Sequence, residues 1–271
     1  MLLYKIESSV AEAKIIKRPS AYCKTPYVAD IDVNGIMGMG HTPALGCCGL
    51  ADKDATVLVK RLTNSKGVCS HSIQLAKIED KGHVTYVGIH TKLAELLTKS
   101  AIENNCIGEL QNVKNLEREK TFLNSRFDFT GIMENGKRFI LEVKSVPLAD
   151  YEDITAKERK KKDYSNKLYN DKVAYFPDGY RKKKGSVVSP RALKHINELK
   201  KICLQGEIET FMCYVIQRDD ASSFQISVLD PTYRQAVHEA MEAGVHIITL
   251  QIRWNEKGEA YFVTDKLKLN K

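Results

Sequence analysis

The chain has 271 residues, of which 43% are hydrophobic and 28% charged, enough for a buried core in one large domain or two smaller ones. No run of about 18 apolar residues is present, so no membrane-spanning helix is expected, and the start MLLYKIESSVAEAK meets charge too soon for a secretory leader. A formal net charge of +8 and seven cysteines without a C-x-x-C pair point away from a disulfide or zinc scaffold, towards an intracellular, cytoplasmic protein with an acidic partner, or a nuclear one in a eukaryotic or viral lineage.

The first third reads as short strands. Tyr27–Val33 meets the turn signal Asn34-Gly35, and residues 36–49 (IMGMGHTPALGCCG) read as a glycine-rich loop that lacks the Gly-Lys-Ser/Thr ending of a phosphate loop. Strands are expected over 55–62, 72–78 and 84–89. Several short strands with glycine breaks predict a small β-barrel or OB-like module over residues 1–88.

From residue 92 the period changes. Leu93, Leu96, Leu97, Ala101 and Ile102 share one helical face. Residues 126–133 and 137–146 then flank Glu134-Asn135-Gly136, a strong hairpin signal. Residues 157–184 hold eleven Lys or Arg, including Lys160, Lys161, Lys162, Lys182, Lys183 and Lys184, against Glu158, Asp163, Asp171 and Asp178, a local excess of seven positive charges. Such clustering is the footprint of a phosphate-backbone binder, and equally of a solvated loop or an import signal. This stretch is expected to be a loop or extended insertion. Ser189-Pro190 predicts a helix start, with Leu193, Ile196, Leu199, Ile202 and Cys203 as its apolar stripe. Strands follow at 210–217 and 224–229, then a helix from Asp230-Pro231 that Gly244 can end, then strands at 245–254 and 260–264. Residues 89–271 are therefore expected to form a mixed α/β domain around a central sheet, with the Lys-rich insertion at about 149–190.

Alternation along 137–146 puts Arg138, Ile140, Glu142 and Lys144 on one face of a strand. Asp128 sits on the preceding arm, where its carboxylate can approach Glu142. Two carboxylates and a backbone carbonyl can hold a divalent cation such as Mg²⁺ or Mn²⁺, and a nearby lysine can position water or offset developing negative charge. Glu-x-Lys on a strand reads equally as a solvated polar face.

Seven segments add specificity: SRFDF at Ser125, LEVKSV at Leu141, FPD at Phe176, KHINEL at Lys194, VIQRDD at Val215, LDPTY at Leu229 and AGV at Ala243. In this order they resemble the sugar fermentation stimulation protein A family over about residues 84–250. The resemblance implies a DNA-binding protein with an N-terminal OB-like domain and a C-terminal domain of the PD-(D/E)XK nuclease fold. It implies Asp128 and Glu142 as metal-site acids, Lys144 as the motif lysine and Glu119 as a helix-borne acid. Arg126, Lys194, His195, Gln217 and Arg218 fall in motifs flanking that site and are candidate nucleic-acid contacts. Departures lie at Ala44 and Leu45, in the segment from His41 to Gly46, at His90 and at Glu95, where the family carries asparagine or threonine. Three readings follow: a Mg²⁺- or Mn²⁺-dependent DNase, a DNA-binding or transcription-associated protein without turnover, and an RNA binder, since an OB-like barrel suits single strands.

Overall fold

The computed structural model describes residues 1–42, 49–63, 67–177 and 189–270. The expected thiols Cys47 and Cys48, and Lys182, Lys183 and Lys184 of the basic stretch, lie outside the described residues. Cys23, Cys69, Cys106, Cys203 and Cys213 are free.

The first part comprises β1 (Leu2–Lys5), β2 (Val10–Lys17), β3 (Val28–Val33), β4 (Ile36–His41), β5 (Thr56–Arg61), β6 (His71–Asp80) and β7 (His83–Gly88). Asn34 and Gly35 both have positive φ, as the expected tight hairpin turn requires, and Asp32 Oδ1 accepts from Gly35 N at 2.6 Å. The expected loop from Ile36 is corrected: residues 36–41 are β4. The glycines there permit close strand approach, since a Cβ on Gly38 would sit 2.9 Å from Ser70 Oγ and one on Gly40 3.1 Å from Ile73 Cγ1. Strands run in the order β4-β3-β2-β5-β6, and β4 returns to pair with β6 in parallel through Gly40↔His71 and His41↔Ser72. Ile15, Ile31, Val57, Val59 and Ile73 fill the interior of this ring of pairings.

The second part comprises α1 (Lys92–Glu103), β8 (Lys114–Phe122), β9 (Ser125–Ile132), β10 (Arg138–Val146), β11 (Ala149–Asp150), α2 (Ala156–Arg159), β12 (Lys172–Phe176), α3 (Pro190–Cys203), β13 (Ile208–Ile216), β14 (Ala221–Ile226), α4 (Pro231–Glu242), β15 (His246–Trp254), β16 (Glu259–Thr264) and β17 (Leu269–Asn270). β10, β13 and β15 are mutually parallel and central, with β9 and β8 continuing the sheet beyond β10. Parallel neighbours need crossovers, and α3 and α4 supply them. The chain is a mixed α+β fold, mostly sheet. Ser189 and Asp230 cap α3 and α4 as expected, accepting from Ala192 N and from Tyr233 N, each ahead of a proline in the first turn.

Alternation along β10 divides the core. Phe139, Leu141 and Val143 join α1 on one face, while Ile140 and Val146 join α3 and α4 on the other. The expected basic loop is also corrected. Its described part contains α2 and the buried strand β12, which lies in a second sheet ordered β11-β12-β14-β17. Lys172 is not a surface cation: it is buried, 2.6 Å from Asp80 and 3.0 Å from Asp220. The surrounding lysines hide the short apolar run Val173–Phe176 that makes this segment a strand.

β7 joins the second part through Tyr86↔Trp254, and Gly88 N donates to Gln217 O at 3.0 Å. A Cβ on Gly88 would lie 2.2 Å from Gln217 Oε1 and 2.8 Å from Trp254 Nε1. Both partners are buried, so Gly88→Ala is expected to cost about 2–3 kcal/mol, read as a lower midpoint in denaturant. An unchanged midpoint would mean that this joint can relax freely.

Candidate active site

The expected hairpin is present: β9 and β10 pair antiparallel from Arg138↔Ile132 to Leu141↔Phe129. Beyond that pair the ladder opens, and a side chain takes over. Asp128 Oδ2 accepts from Val143 N at 2.7 Å, in the place a strand carbonyl would fill. Asp128 is thereby held against the β10 backbone one residue from Glu142.

Glu142 is buried on the face that meets α3. Its Oε1 accepts from Lys144 Nζ, on the same face two residues on, and from His195 Nδ1 on α3. His195 is itself buried and packs its ring at 5.9 Å from Phe127. Its partner was not legible in the sequence, because 53 residues separate it from Glu142. Glu142 Oε2 is buried with no hydrogen-bond partner.

The two acids titrate apart. Burial, then the Glu142 charge, pushes Asp128 up to about 7, against the Val143 hydrogen bond and the Lys144 charge. Burial also works to raise Glu142, but the His195 hydrogen bond and the Lys144 charge outweigh it and hold that carboxyl below its ordinary value. Glu142 is therefore the ionised member at neutral pH.

Glu119 is corrected as the helix-borne acid. It lies on β8, exposed, with Arg126 Nη1 at 3.5 Å. β8 ends the sheet, and its charged side chains suit an outer strand better than a helix. The acid that a helix does bring close is Glu95, in the first turn of α1, whose charge adds to the upward push on Asp128. Arg118 of β8 pairs with it. An acid on the polar flank of the Leu93–Ile102 stripe was the available signal for Glu95.

The flanking residues divide. Arg126 and Lys194 are exposed, and Lys194 Nζ donates to Asn124 O at 2.5 Å. Gln217 and Arg218 are interior. Gln217 Oε1 accepts from Trp254 Nε1 at 3.0 Å, and Arg218 forms a two-pronged pair with Asp220 at 2.5 and 2.7 Å. Neither presents its side chain to a surface phosphate. Lys160 and Lys161 are exposed beside α2, and Lys162 is paired with Glu152 at 2.5 Å.

Among the described residues no three His, Cys, Asp or Glu side chains gather as a metal set. The donor pair nonetheless fits a hard divalent cation. Two carboxylates crowd each other, one oxygen lacks a partner, and the remaining positions of such an ion are ordinarily completed by carbonyls and water.

Comparison with known proteins gives a consistent picture. The model of the sugar fermentation stimulation protein RE domain matches residues 92–157 and 163–258. A sugar fermentation stimulation protein homolog of Alteromonas mediterranea is 30% identical over 253 residues, covering 90% of this chain and 91% of that one. The homolog of Citrifermentans bemidjiense is 28% identical over 225 residues, covering 82% and 83%. The structure of Pyrococcus furiosus SfsA in complex with Ca²⁺ superposes with a TM-score of 0.77 at 19% identity, covering all of both chains. Among the described residues no helix is long and apolar enough to cross a membrane.

Proposed function

The chain belongs to the sugar fermentation stimulation protein family, and from that premise we propose that it is a DNA-binding protein with a divalent-metal-dependent nuclease centre of the PD-(D/E)XK type. The observation that carries this reading is the meeting of Asp128 and Glu142 where the β9–β10 ladder opens, with Lys144 on the same strand face. The order α1, β8, β9, β10, α3, β13, with β13 parallel to β10, supports that core. The ring β4-β3-β2-β5-β6-β4, with its one parallel pairing, supports an OB-like first domain over residues 1–88. The relative crystallised with Ca²⁺ supports a divalent site, and we assign Mg²⁺ or Mn²⁺ to the working protein.

Asp128 and Glu142 would hold the cation, which supplies charge to polarise a phosphodiester and to acidify a water. The chain's own residues do the rest. Val143 N orients Asp128. His195 holds one oxygen of Glu142 so that the other stays turned away from it. Lys144 keeps a positive charge beside the acids, where it can hold a water or offset negative charge on the phosphate. Arg126, Lys194 and the exposed Lys160 and Lys161 are available to the DNA backbone.

Cleavage of plasmid, linear duplex and single-stranded DNA in Mg²⁺ or Mn²⁺ tests the reading. Cleavage is expected, and a chelator is expected to abolish it. Salt-sensitive binding without cleavage would instead favour the second reading, a binding protein on a nuclease fold. The engagement of both Lys144 and His195 by a single Glu142 oxygen is the observation in its favour.

Binding itself is expected to fall steeply with salt, as basic side chains release counterions from phosphates. Neutralising Lys160 and Lys161 together is expected to weaken binding on all sequences alike and to lower the salt slope by roughly 2. A loss confined to one DNA sequence, measured by titration at several salt concentrations, would point to base readout instead.

A further inference from the structure

We propose that His246 and the two glutamates facing its ring, Glu109 and Glu209, form a pH-sensitive clasp that holds the α1–β8 loop on the sheet. The loop is clasped while both ring nitrogens carry a proton and is released when one is lost. The clasp stands independently of the nucleic-acid reading.

His246 opens β15 in register with Phe211 of β13, and its ring stacks on that of Phe211 at 4.8 Å. Alternation along β13 puts Glu209 on the same face as Phe211. His246 Nδ1 lies 2.6 Å from Oε2 of Glu109, in the loop, and Nε2 lies 3.5 Å from Oε2 of Glu209. A carboxylate only accepts, and a neutral imidazole has one N–H. The imidazolium is therefore the form that satisfies both partners, and deprotonation turns a lone pair towards one of the carboxylates.

The other charges around the ring have their own partners. Lys137, just ahead of β10, lies 2.6 Å from Oε1 of Glu209, the oxygen turned away from His246. Asp265 Oδ2 accepts from Gly108 N at 2.7 Å, and the Lys266 charge acts on Glu109 in the same direction as His246. Glu134, across from the loop, accepts from Asn112 Nδ2 at 2.9 Å. Of these side chains only a histidine ordinarily changes charge near neutral pH. The bond to Glu109 raises the imidazole above 6.5 against its partial burial, and the charges of Glu109 and Glu209 add to the rise. A raised value in the folded chain means that the clasp contributes fully below pH 6.5 and fades as pH rises through that value.

What the clasp controls is the loop. Ile107 and Leu110 are buried in the cluster that α1 shares with Phe211, and Glu109 stands between them in sequence. Towards the β9–β10 turn the loop borders a cavity of about 330 Å³, so it is not packed on that side. The His246 ring is partly exposed, which keeps the ion pairs weak and suits a local opening rather than loss of the whole fold.

Pulsed amide hydrogen exchange on the full chain, corrected for the intrinsic rise of exchange with pH, tests the clasp. In wild type, protection over residues 107–111 is expected to fall about two- to fivefold between pH 6 and pH 9. His246→Gln, which keeps a donor but cannot titrate, is expected to stay at the lower level at both pH values. NMR titration identifies the His246 imidazole as the signal missing from that variant. It is expected to titrate above 6.5 in wild type and lower in Glu109→Gln. No fall in wild type, an equal fall in His246→Gln, or an imidazole that titrates at or below 6.5 would overturn the inference.

Discussion

Glu142→Gln is expected to reduce metal-dependent cleavage by about 1000-fold, roughly 4 kcal/mol of transition-state stabilisation. The substitution keeps the size of the side chain and an oxygen that can still accept from His195. What it removes is the charge of the acid held ionised at neutral pH by His195 and Lys144. Without that charge Asp128 stands alone as a carboxylate donor, too few for a hard divalent cation. The half-buried Lys144 also loses its counter-charge, and breaking such a pair destabilises through the partner left behind. Far-UV circular dichroism and the unfolding midpoint must therefore accompany the cleavage assay. A folded variant that still cleaves within about tenfold of wild type would remove Glu142 from the site and, with it, the proposed nuclease centre.

Asp128→Asn is expected to stabilise the protein in chelator at pH 8, by about 1–2 kcal/mol. A carboxyl whose folded pKa is raised from 3.8 to about 7 favours the fold only while protonated. Its penalty is absent below about 4, grows between the two values and is complete above 7. The residue is partly exposed, so solvent screens some of the penalty. Asparagine carries no charge at any of these pH values, and its Oδ1 can still accept from Val143 N. The advantage of the variant should therefore fade as pH is lowered towards 4. Adding Mg²⁺ or Mn²⁺ reverses the ranking: at about 100 times the dissociation constant, wild type gains roughly 2.7 kcal/mol that the variant forgoes. Denaturant titrations at two pH values, with and without metal, read all of this. A variant less stable than wild type at pH 8 in chelator would show that Asp128 is not a crowded, desolvated acid.

What could be read from the sequence is what short-range physics controls. Asn135-Gly136 between two extended runs dictates the β9–β10 hairpin, and the two-residue period of a strand puts Glu142 and Lys144 on one face without reference to the rest of the chain. Ser189-Pro190 and Asp230-Pro231 likewise set the starts of α3 and α4 through local capping bonds. Only the tertiary structure decided the contacts made across long loops, because no periodicity encodes which face meets which. It brought His195 of α3 onto Glu142, and chose Glu95 of α1 over the nearer Glu119 as the acid beside Asp128. It turned Gln217 and Arg218 inward, where Trp254 and Asp220 satisfy them, and drew Lys172 out of the basic stretch to a buried position between Asp80 and Asp220. A polar side chain in a sequence carries no mark of burial. That is settled when packing supplies the partner that offsets its desolvation.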